Sequence, residues 1–142
     1  MFASIDLRKH LIGIALMLGC LLWLSNGPKF GHGYQVKEVD VTGAKALIDA
    51  GALVIDVRGQ TQFDYRHIPG AILVTVEELR EGIPARLLAE AKNRVILVYC
   101  SHGLAHGSEG TAILNKAGFT GAVNLKGGIE SWADAGYPIQ KS

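Results

Sequence analysis

From residue 34 onward, this chain alternates short, continuous apolar runs with segments whose apolar residues recur at helical spacing. A continuous run fits a strand buried on both faces, because a strand with one wet face alternates apolar and polar residues. Strands that alternate with helices of this length predict the α/β class, a central parallel sheet flanked by helices on both faces. The predicted strands span residues 34–39, 52–55, 72–74, 95–99 and 123–125.

Residues typical of helix ends separate these runs. Thr75 and Glu78 form a capping box, in which the Thr side chain accepts from the N–H three residues later. Thr42 and Ser108 are candidate N-caps, and Gly51 is a candidate C-terminal residue. The predicted helices lie between Thr42 and Gly51, between Thr75 and Pro84, over 85–91, from Ser108 to Ala117, and over 129–135.

The chain has room for one domain plus an appendage. Its 142 residues, 49% of them hydrophobic, supply a core for a single domain, which we place at residues 34–142. A net charge of +1 with 19% charged residues gives no basic surface, so no nucleic-acid partner is expected. The two cysteines, Cys20 and Cys100, lie in segments of different character and predict neither a disulfide framework nor a paired-cysteine metal site.

An apolar segment precedes the domain. Residues 11–24 contain no charged or strongly polar side chain, and we predict that residues 11–26 form a transmembrane anchor in contact with membrane lipid. As a helix, the uncharged run is about 21 Å long, so it needs flanking residues or a locally thin bilayer to cross. A cleaved signal peptide and a lipoprotein modified at Cys20 remain alternatives, although the cleavage signals around Ser25 and Pro28 are poor.

The flanks of the anchor predict its orientation. Residues 1–10 carry Arg8 and Lys9, which together with the amino terminus slightly outweigh the lysines that follow the anchor. This difference predicts a single-pass membrane protein whose domain lies on the outer, periplasmic or extracytoplasmic side. Residues 27–33 contain three glycines and a proline and predict a flexible linker.

Cys100 directly follows the strongest predicted strand and is the candidate nucleophile. In an open parallel sheet, ligands bind outside the carboxyl ends of the strands. The glycine-containing loop after Cys100 leads into a helix, and backbone N–H groups in such a loop can stabilise a thiolate. An inert cysteine ending a buried strand is the alternative. The predicted anion-binding residues are Ser101, His102, Gly103, Leu104, Ala105 and His106.

Three stretches within about residues 38–139 form a recognisable set: VIDVR at 54–58 with Phe63 and HIPGA at 67–71; LVYC at 97–100; and LKGGIESW at 125–132 with AGYP at 135–138. Taken together, they resemble the signatures of the rhodanese family in the expected order. The second stretch ends where the family places its catalytic cysteine. The resemblance therefore implies a rhodanese-like domain over nearly all of the segment that follows the linker.

The resemblance also implies an activity and roles for several residues. Cys100 would take a sulfane sulfur from a donor, hold it as a persulfide and pass it to a thiol acceptor. The donor would be a small sulfane compound or a protein persulfide, and no cofactor is implied. Asp56, Arg58 and His67 would support the strand end and the turns around the site, and Trp132 would anchor the core.

The active loop departs from the family pattern. A common loop in the family reads Cys-x-x-Gly-x-Arg-Ser; Gly103 matches, but Ala105 stands in the place of the arginine. The loop also reads as one residue longer, as in the related phosphatases and arsenate reductases, and their arginine position holds His106. Arginine is always charged and binds oxyanions through a planar fork, whereas histidine is mostly neutral at pH 7. Strong turnover of thiosulfate, phosphate or arsenate is therefore not expected.

These observations predict a membrane-tethered rhodanese-like sulfurtransferase. One alternative is a catalytically weak or inactive rhodanese-like binding module at the membrane, and another is a phosphatase-like or arsenate reductase-like activity. Cys100, His102 and His106 are residue types suited to zinc or copper. A tight loop that aims its N–H groups inward rarely turns three side chains to one point, so no metal is predicted. We expect one histidine to be exposed and the other to modulate the thiol.

Overall fold

The computed structural model describes residues 33–142, which form an α/β domain around one five-stranded sheet. All neighbouring strands are parallel, and their order in the sheet is β1-β5-β4-β2-β3. The strands are β1 (Glu38–Val39), β2 (Leu53–Asp56), β3 (Ile72–Leu73), β4 (Ile96–Tyr99) and β5 (Val123–Leu125). The helices are α1 (Val41–Asp49), α2 (Gln60–Tyr65), α3 (Val76–Glu81), α4 (Ala85–Glu90), α5 (Ala105–Lys116) and α6 (Gly128–Asp134). The predicted parallel sheet with flanking helices is confirmed.

Two hydrophobic clusters cover the two faces of the sheet, and β4 contributes to both. Ile96 and Val98 point into the cluster that also contains residues of α3, α4 and α5. Leu97 and Tyr99 point into the other cluster, which also contains residues of α1 and α6, among them Trp132. Successive side chains of a strand alternate between faces, so a central strand covered on both sides must be apolar throughout. This is why the continuous runs in the sequence predict the buried strands correctly.

Several boundaries differ from the predictions. The first strand is only Glu38–Val39, because it is an edge strand that pairs with β5 alone over a short register. Asp40, rather than Thr42, caps α1, and its side chain accepts from Gly43 N at 2.8 Å. The predicted Thr75 cap is confirmed, since its Oγ1 accepts from Glu78 N at 3.2 Å.

Helices α5 and α2 were poorly predicted for the same reason. Helix α5 begins at Ala105, ahead of the predicted cap Ser108, and its N-cap residue Leu104 offers no side-chain acceptor. Helix α2 was not predicted, and its N-cap is Gly59, which has no side chain to make a capping bond. Neither start carries a local capping signature, so tertiary contacts position both.

The predicted anchor at residues 11–26 and its flank at 1–10 lie outside the described residues, as does the linker at 27–33 apart from Gly33. Their roles stay predictions. Within residues 33–142, no helix is long and apolar enough to span a membrane.

Candidate active site

Cys100 is the first residue after β4, which lies in the middle of the sheet between β2 and β5. The residue is only 7% exposed, and it borders an open cleft of about 330 Å³ at the carboxyl end of the strands. The cleft is lined by Arg58, Gln62, Cys100, Ser101, His102, Leu104, Ala105 and His106. The structure thus brings five of the six predicted loop residues to one cleft with the thiol; Gly103 is buried behind it.

The start of α6 holds the beginning of the loop. Ile129 N donates to Cys100 O at 3.0 Å, and Glu130 N donates to Ser101 O at 3.2 Å. Helix α5 begins at the other end of the loop, where Ser108 N donates to Leu104 O. By contrast, none of the N–H groups of residues 101–107 donates to another group of the described chain. These unpaired donors are what a loop needs in order to bind an anion.

Two glycines permit this close packing. Gly107, in the first turn of α5, faces the thiol: a Cβ there would lie 3.2 Å from Cys100 Sγ and 2.5 Å from Asn124 Oδ1. Gly128, at the start of α6, has a φ of +59°, and a Cβ would lie 2.3 Å from Cys100 O. Any larger residue at either position would push the loop or the sulfur away.

Arg58 lines the cleft, but its guanidinium forms an ion pair with the carboxylate of Asp56. Its Nη2 donates to Asp56 Oδ2 at 2.7 Å, and its Nε lies 3.0 and 3.1 Å from the two carboxylate oxygens. Nη2 also donates to Arg66 O at 2.6 Å. Burial opposes the charged form, yet the hydrogen bonds and the charge of Asp56 prevail and raise the pKa of Arg58. The supporting roles of Asp56 and Arg58 stay predictions.

His67 is buried and contacts Phe63 and Gln140. Its ring stacks on Phe63, with centroids 4.0 Å apart, and its Nδ1 lies 2.9 Å from Phe63 O. Its backbone pairs with Gln140 in an antiparallel bridge. Tyr99, the residue before the cysteine, accepts a hydrogen bond from Ile68 N at its hydroxyl, 3.1 Å away. Burial, followed by the nearby charge of Asp56, raises the pKa of Tyr99 well above its usual range.

His102 and His106 are both exposed on the wall of the cleft. Among residues 33–142, no cluster of three His, Cys, Asp or Glu side chains could hold a metal ion. A neighbouring cleft, which shares His102 with the first, is bordered by Arg66 and Glu130. These two form an ion pair, so that guanidinium is paired as well.

The sequence did not point to Gln62 or Asn124, and it did not place Arg58 in the cleft. Gln62 reaches the cleft from α2, which was not predicted. Asn124 is completely buried in β5 behind the loop. Arg58 was predicted as a support only, although it also lines the cleft. An amide in an otherwise apolar run, as at Asn124, was the one signal in the sequence that could have drawn attention to it.

Comparison with protein families adds an independent finding. The protein-family model described as Rhodanese-like domain matches residues 40–135, which are most of the described chain.

Three relatives are described as sulfurtransferases. The "Sulfurtransferase" of Allochromatium vinosum is 32% identical over 107 residues, 74% of this chain and 95% of the relative. The "Thiosulfate sulfurtransferase GlpE" of Pseudomonas fluorescens is 32% identical over 108 residues, 76% of this chain and 94% of the relative. The "Probable adenylyltransferase/sulfurtransferase MoeZ" of Mycobacterium tuberculosis is 36% identical over 85 residues, which are 60% of this chain. This chain spans 21% of MoeZ, so the match covers only a part of that protein.

Solved structures show the same fold. The Rhodanese-like domain of the Anabaena sp Alr3790 protein has a TM-score of 0.63 and 27% identity, covering 76% of this chain and 81% of that one. The thiosulfate sulfurtransferase of Pseudomonas aeruginosa has a TM-score of 0.64 and 27% identity, covering 75% of this chain and 20% of that one.

Proposed function

This chain belongs to the rhodanese-like domain family, and from that premise we propose that it is a sulfurtransferase that carries sulfane sulfur as a persulfide on Cys100. The observation that carries the proposal is the position of the sulfur. It borders an open cleft at the carboxyl end of the sheet, at the start of a loop whose N–H groups have no partner in the described chain. Such donors favour the thiolate and the charged persulfide alike.

The transfer takes place in two displacements. The Cys100 thiolate attacks the sulfane sulfur of the donor, a new S–S bond forms, and the donor leaves with the electron pair of the broken bond. The thiolate of the acceptor then attacks the outer sulfur, and Cys100 leaves as a thiolate. Electrons balance without an added oxidant, because each step exchanges one bond to the sulfane sulfur for another.

The charges at the cleft indicate which donors suit it. The guanidinium of Arg58 is engaged by Asp56, and that of Arg66 pairs with Glu130. The loop itself contributes two exposed histidines and no arginine. A doubly charged donor such as thiosulfate therefore finds no free guanidinium on the described walls of the cleft. We infer that a persulfide of lower charge, on a small thiol or on a protein, is the better donor.

Loading of the cysteine tests the proposal. The full-length protein is incubated with thiosulfate, with cysteine persulfide and with a protein persulfide, and its intact mass is measured. We expect one added sulfur from a persulfide donor, removed by dithiothreitol and absent in Cys100→Ser. Cys20→Ser, which should still load, is the matched control. If no donor adds sulfur to the wild-type protein, the transferase proposal is wrong.

A binding module is the second candidate, and the missing loop arginine is the observation that favours it. A module of this kind would use the cleft surface for a partner and would not turn over sulfur. Failure of all donors to load Cys100, in a folded protein, would favour this role. Turnover of an aryl phosphate or of arsenate that depends on Cys100 would instead favour the phosphatase-like or reductase-like alternative.

Membrane attachment through residues 11–26, with the domain on the outer side, is part of the same proposal. It rests on the uncharged run and the flanking charges in the sequence. A membrane-impermeant thiol reagent should label Cys100 in intact cells. If Cys100 is labelled by a membrane-permeant reagent but not by the impermeant one, the domain lies on the inner side.

A further inference from the structure

Asn124 is a buried amide on β5, the strand beside β4. Its Nδ2 donates to Gly103 O at 2.8 Å and to Glu38 Oε1 at 2.8 Å, with Ser108 Oγ farther away at 3.4 Å. Its Oδ1 is buried and has no hydrogen-bond partner among residues 33–142. A buried oxygen without a partner costs free energy, so the donor end of this side chain is what holds it in place.

The hydrogen bond from Asn124 to the Gly103 carbonyl determines the orientation of the peptide group between residues 103 and 104. In a planar trans peptide, the carbonyl of one residue and the N–H of the next point in opposite directions. The carbonyls of Cys100 and Ser101 are held by backbone N–H groups of α6. The Gly103 carbonyl is held on its buried side by Asn124, which leaves the N–H of Leu104 pointing the opposite way.

Asn124 also borders the space next to the sulfur. The position that a Cβ of Gly107 would take lies 2.5 Å from Asn124 Oδ1 and 3.2 Å from Cys100 Sγ. Both atoms therefore face the same small gap, which is open because residue 107 is glycine. Of the loop carbonyls from residue 100 to residue 104 with a partner in the described chain, Gly103 O alone is held by a side chain.

We propose that Asn124 is a positioning residue for Cys100, which holds the Gly103 carbonyl so that the Leu104 N–H faces the cleft and supports the thiolate. The inference rests on the proposed role of Cys100 as the nucleophile, but not on the identity of the donor. Charged or titratable groups face the loop from every neighbouring element. They are Asp56 at the end of β2, Arg58 after it, His102 in the loop, His106 in α5, Glu130 in α6, and Glu38 on β1 through Asn124.

Asn124→Leu is the informative variant, because leucine has a similar volume and removes the unpaired oxygen together with the donor. The variant also leaves the buried Gly103 carbonyl without its donor, so some stability is lost together with the hydrogen bond. The readout is the rate at which iodoacetamide alkylates Cys100 in the full-length protein, followed by the mass of the Cys100 peptide so that Cys20 does not interfere. The rate is measured between pH 5.5 and 9.5, alongside the urea midpoint.

We expect alkylation at pH 7 to fall roughly fivefold in Asn124→Leu, in the range of one weakened hydrogen bond to a charged group, and its pH profile to move to higher pH. The urea midpoint should fall as well, because the Gly103 carbonyl loses its partner, so the alkylation profile rather than stability is the deciding readout. Ile96→Val is the matched control, because it removes a methyl group at the start of β4, away from the loop. It should lower the urea midpoint and leave the alkylation profile unchanged. If Cys100 in Asn124→Leu is alkylated with the same dependence on pH as in the wild-type protein, the proposal is overturned.

A measurement on the wild-type protein keeps the inference testable if the variant does not fold. The side-chain amide of Asn124 should give a nuclear magnetic resonance signal that shifts as the Cys100 thiol titrates. Cys100→Ser should abolish that shift, and a shift that persists there would contradict the inference. If no donor loads sulfur onto Cys100 while Asn124→Leu still slows alkylation, the transferase proposal fails and the positioning role stands.

Discussion

Arg58 and Asp56 form a buried ion pair at the edge of the cleft, with the guanidinium Nη2 2.7 Å from Asp56 Oδ2 and both residues largely shielded from water. The pair ties the end of β2 to the residues after α2, because Arg58 Nη2 also donates to Arg66 O at 2.6 Å. It supplies the site with rigidity rather than with a free positive charge.

Asp56→Asn should destabilise the domain strongly. The buried guanidinium would lose its counter-charge, and removing one partner of a buried ion pair costs about 3–5 kcal/mol. Urea unfolding followed by circular dichroism measures the loss. Lys45→Ala, which breaks the exposed Lys45–Asp49 pair on α1, is the matched control and should change stability little. Similar losses in both variants would contradict the view that burial makes the first pair critical.

Ala105→Arg or His106→Arg should raise activity with thiosulfate. Either change places a permanent positive charge on the cleft wall, where a charge-assisted hydrogen bond to an anionic donor is expected to give roughly a tenfold gain in kcat/KM. Cyanide-coupled thiocyanate formation measures it. Leu88→Arg adds the same charge at an exposed position of α4 outside the lining of the cleft and should give no gain. A gain in Leu88→Arg equal to that of the loop variants would exclude a local effect.

Gly107→Ala should slow the reaction of Cys100 and destabilise the fold. Alanine in a helix is normally favoured over glycine by about 0.5–1 kcal/mol, but here its Cβ would meet Asn124 Oδ1 at 2.5 Å and Cys100 Sγ at 3.2 Å. Gly43→Ala in α1 is the control, since its Cβ approaches no atom closer than 3.4 Å, and it should leave alkylation of Cys100 unchanged. The prediction fails if Gly107→Ala is as stable and as reactive as the wild-type protein.

Gly128→Ala should cost more stability than Gly136→Ala. Both glycines have positive φ, +59° and +79°, so each alanine bears a left-handed penalty of about 1–2 kcal/mol. Only at Gly128 would the new Cβ collide with the carbonyls of Cys100 and Ser101, whereas nothing lies within 4 Å at Gly136. The difference between the two urea-derived free energies therefore reports the close packing of the loop on α6. Equal losses would show that this packing is loose.

Glu109→Gln should lower stability at neutral pH but not at acid pH. The hydrogen bond from Arg80 holds the pKa of Glu109 below its usual range. A carboxyl whose pKa is lowered by folding stabilises the native state above its unfolded pKa, about 4.3 for Glu, and loses that contribution as the pH falls through the lowered value. Urea midpoints at low salt should therefore differ at pH 7 and converge as the pH falls below the lowered pKa of Glu109. A difference that does not change with pH would show that the effect is not the ion pair.

Part of the site was accessible to local reasoning. The strand-cysteine-loop order identified Cys100, and the sheet rule put it at the carboxyl end, because parallel strands end at a common edge. The start of α5 and the existence of α2 were missed, since neither has a side-chain cap to signal it. Asn124 was missed because its partners, Gly103 and Glu38, are 21 and 86 residues away in the chain.

The amino-acid sequence by itself determined the α/β class, the buried strands, the position of the thiol and the absence of an arginine from the loop. These are local properties: the period of apolar residues and the chemical type at a given position. Only the tertiary structure decided that Arg58 is paired with Asp56, that Asn124 holds the Gly103 carbonyl, and that the N–H groups of residues 101–107 have no partner within residues 33–142. Hydrogen bonds and burial depend on distances between segments far apart in the chain, and those distances exist only once the sheet and its helices have packed.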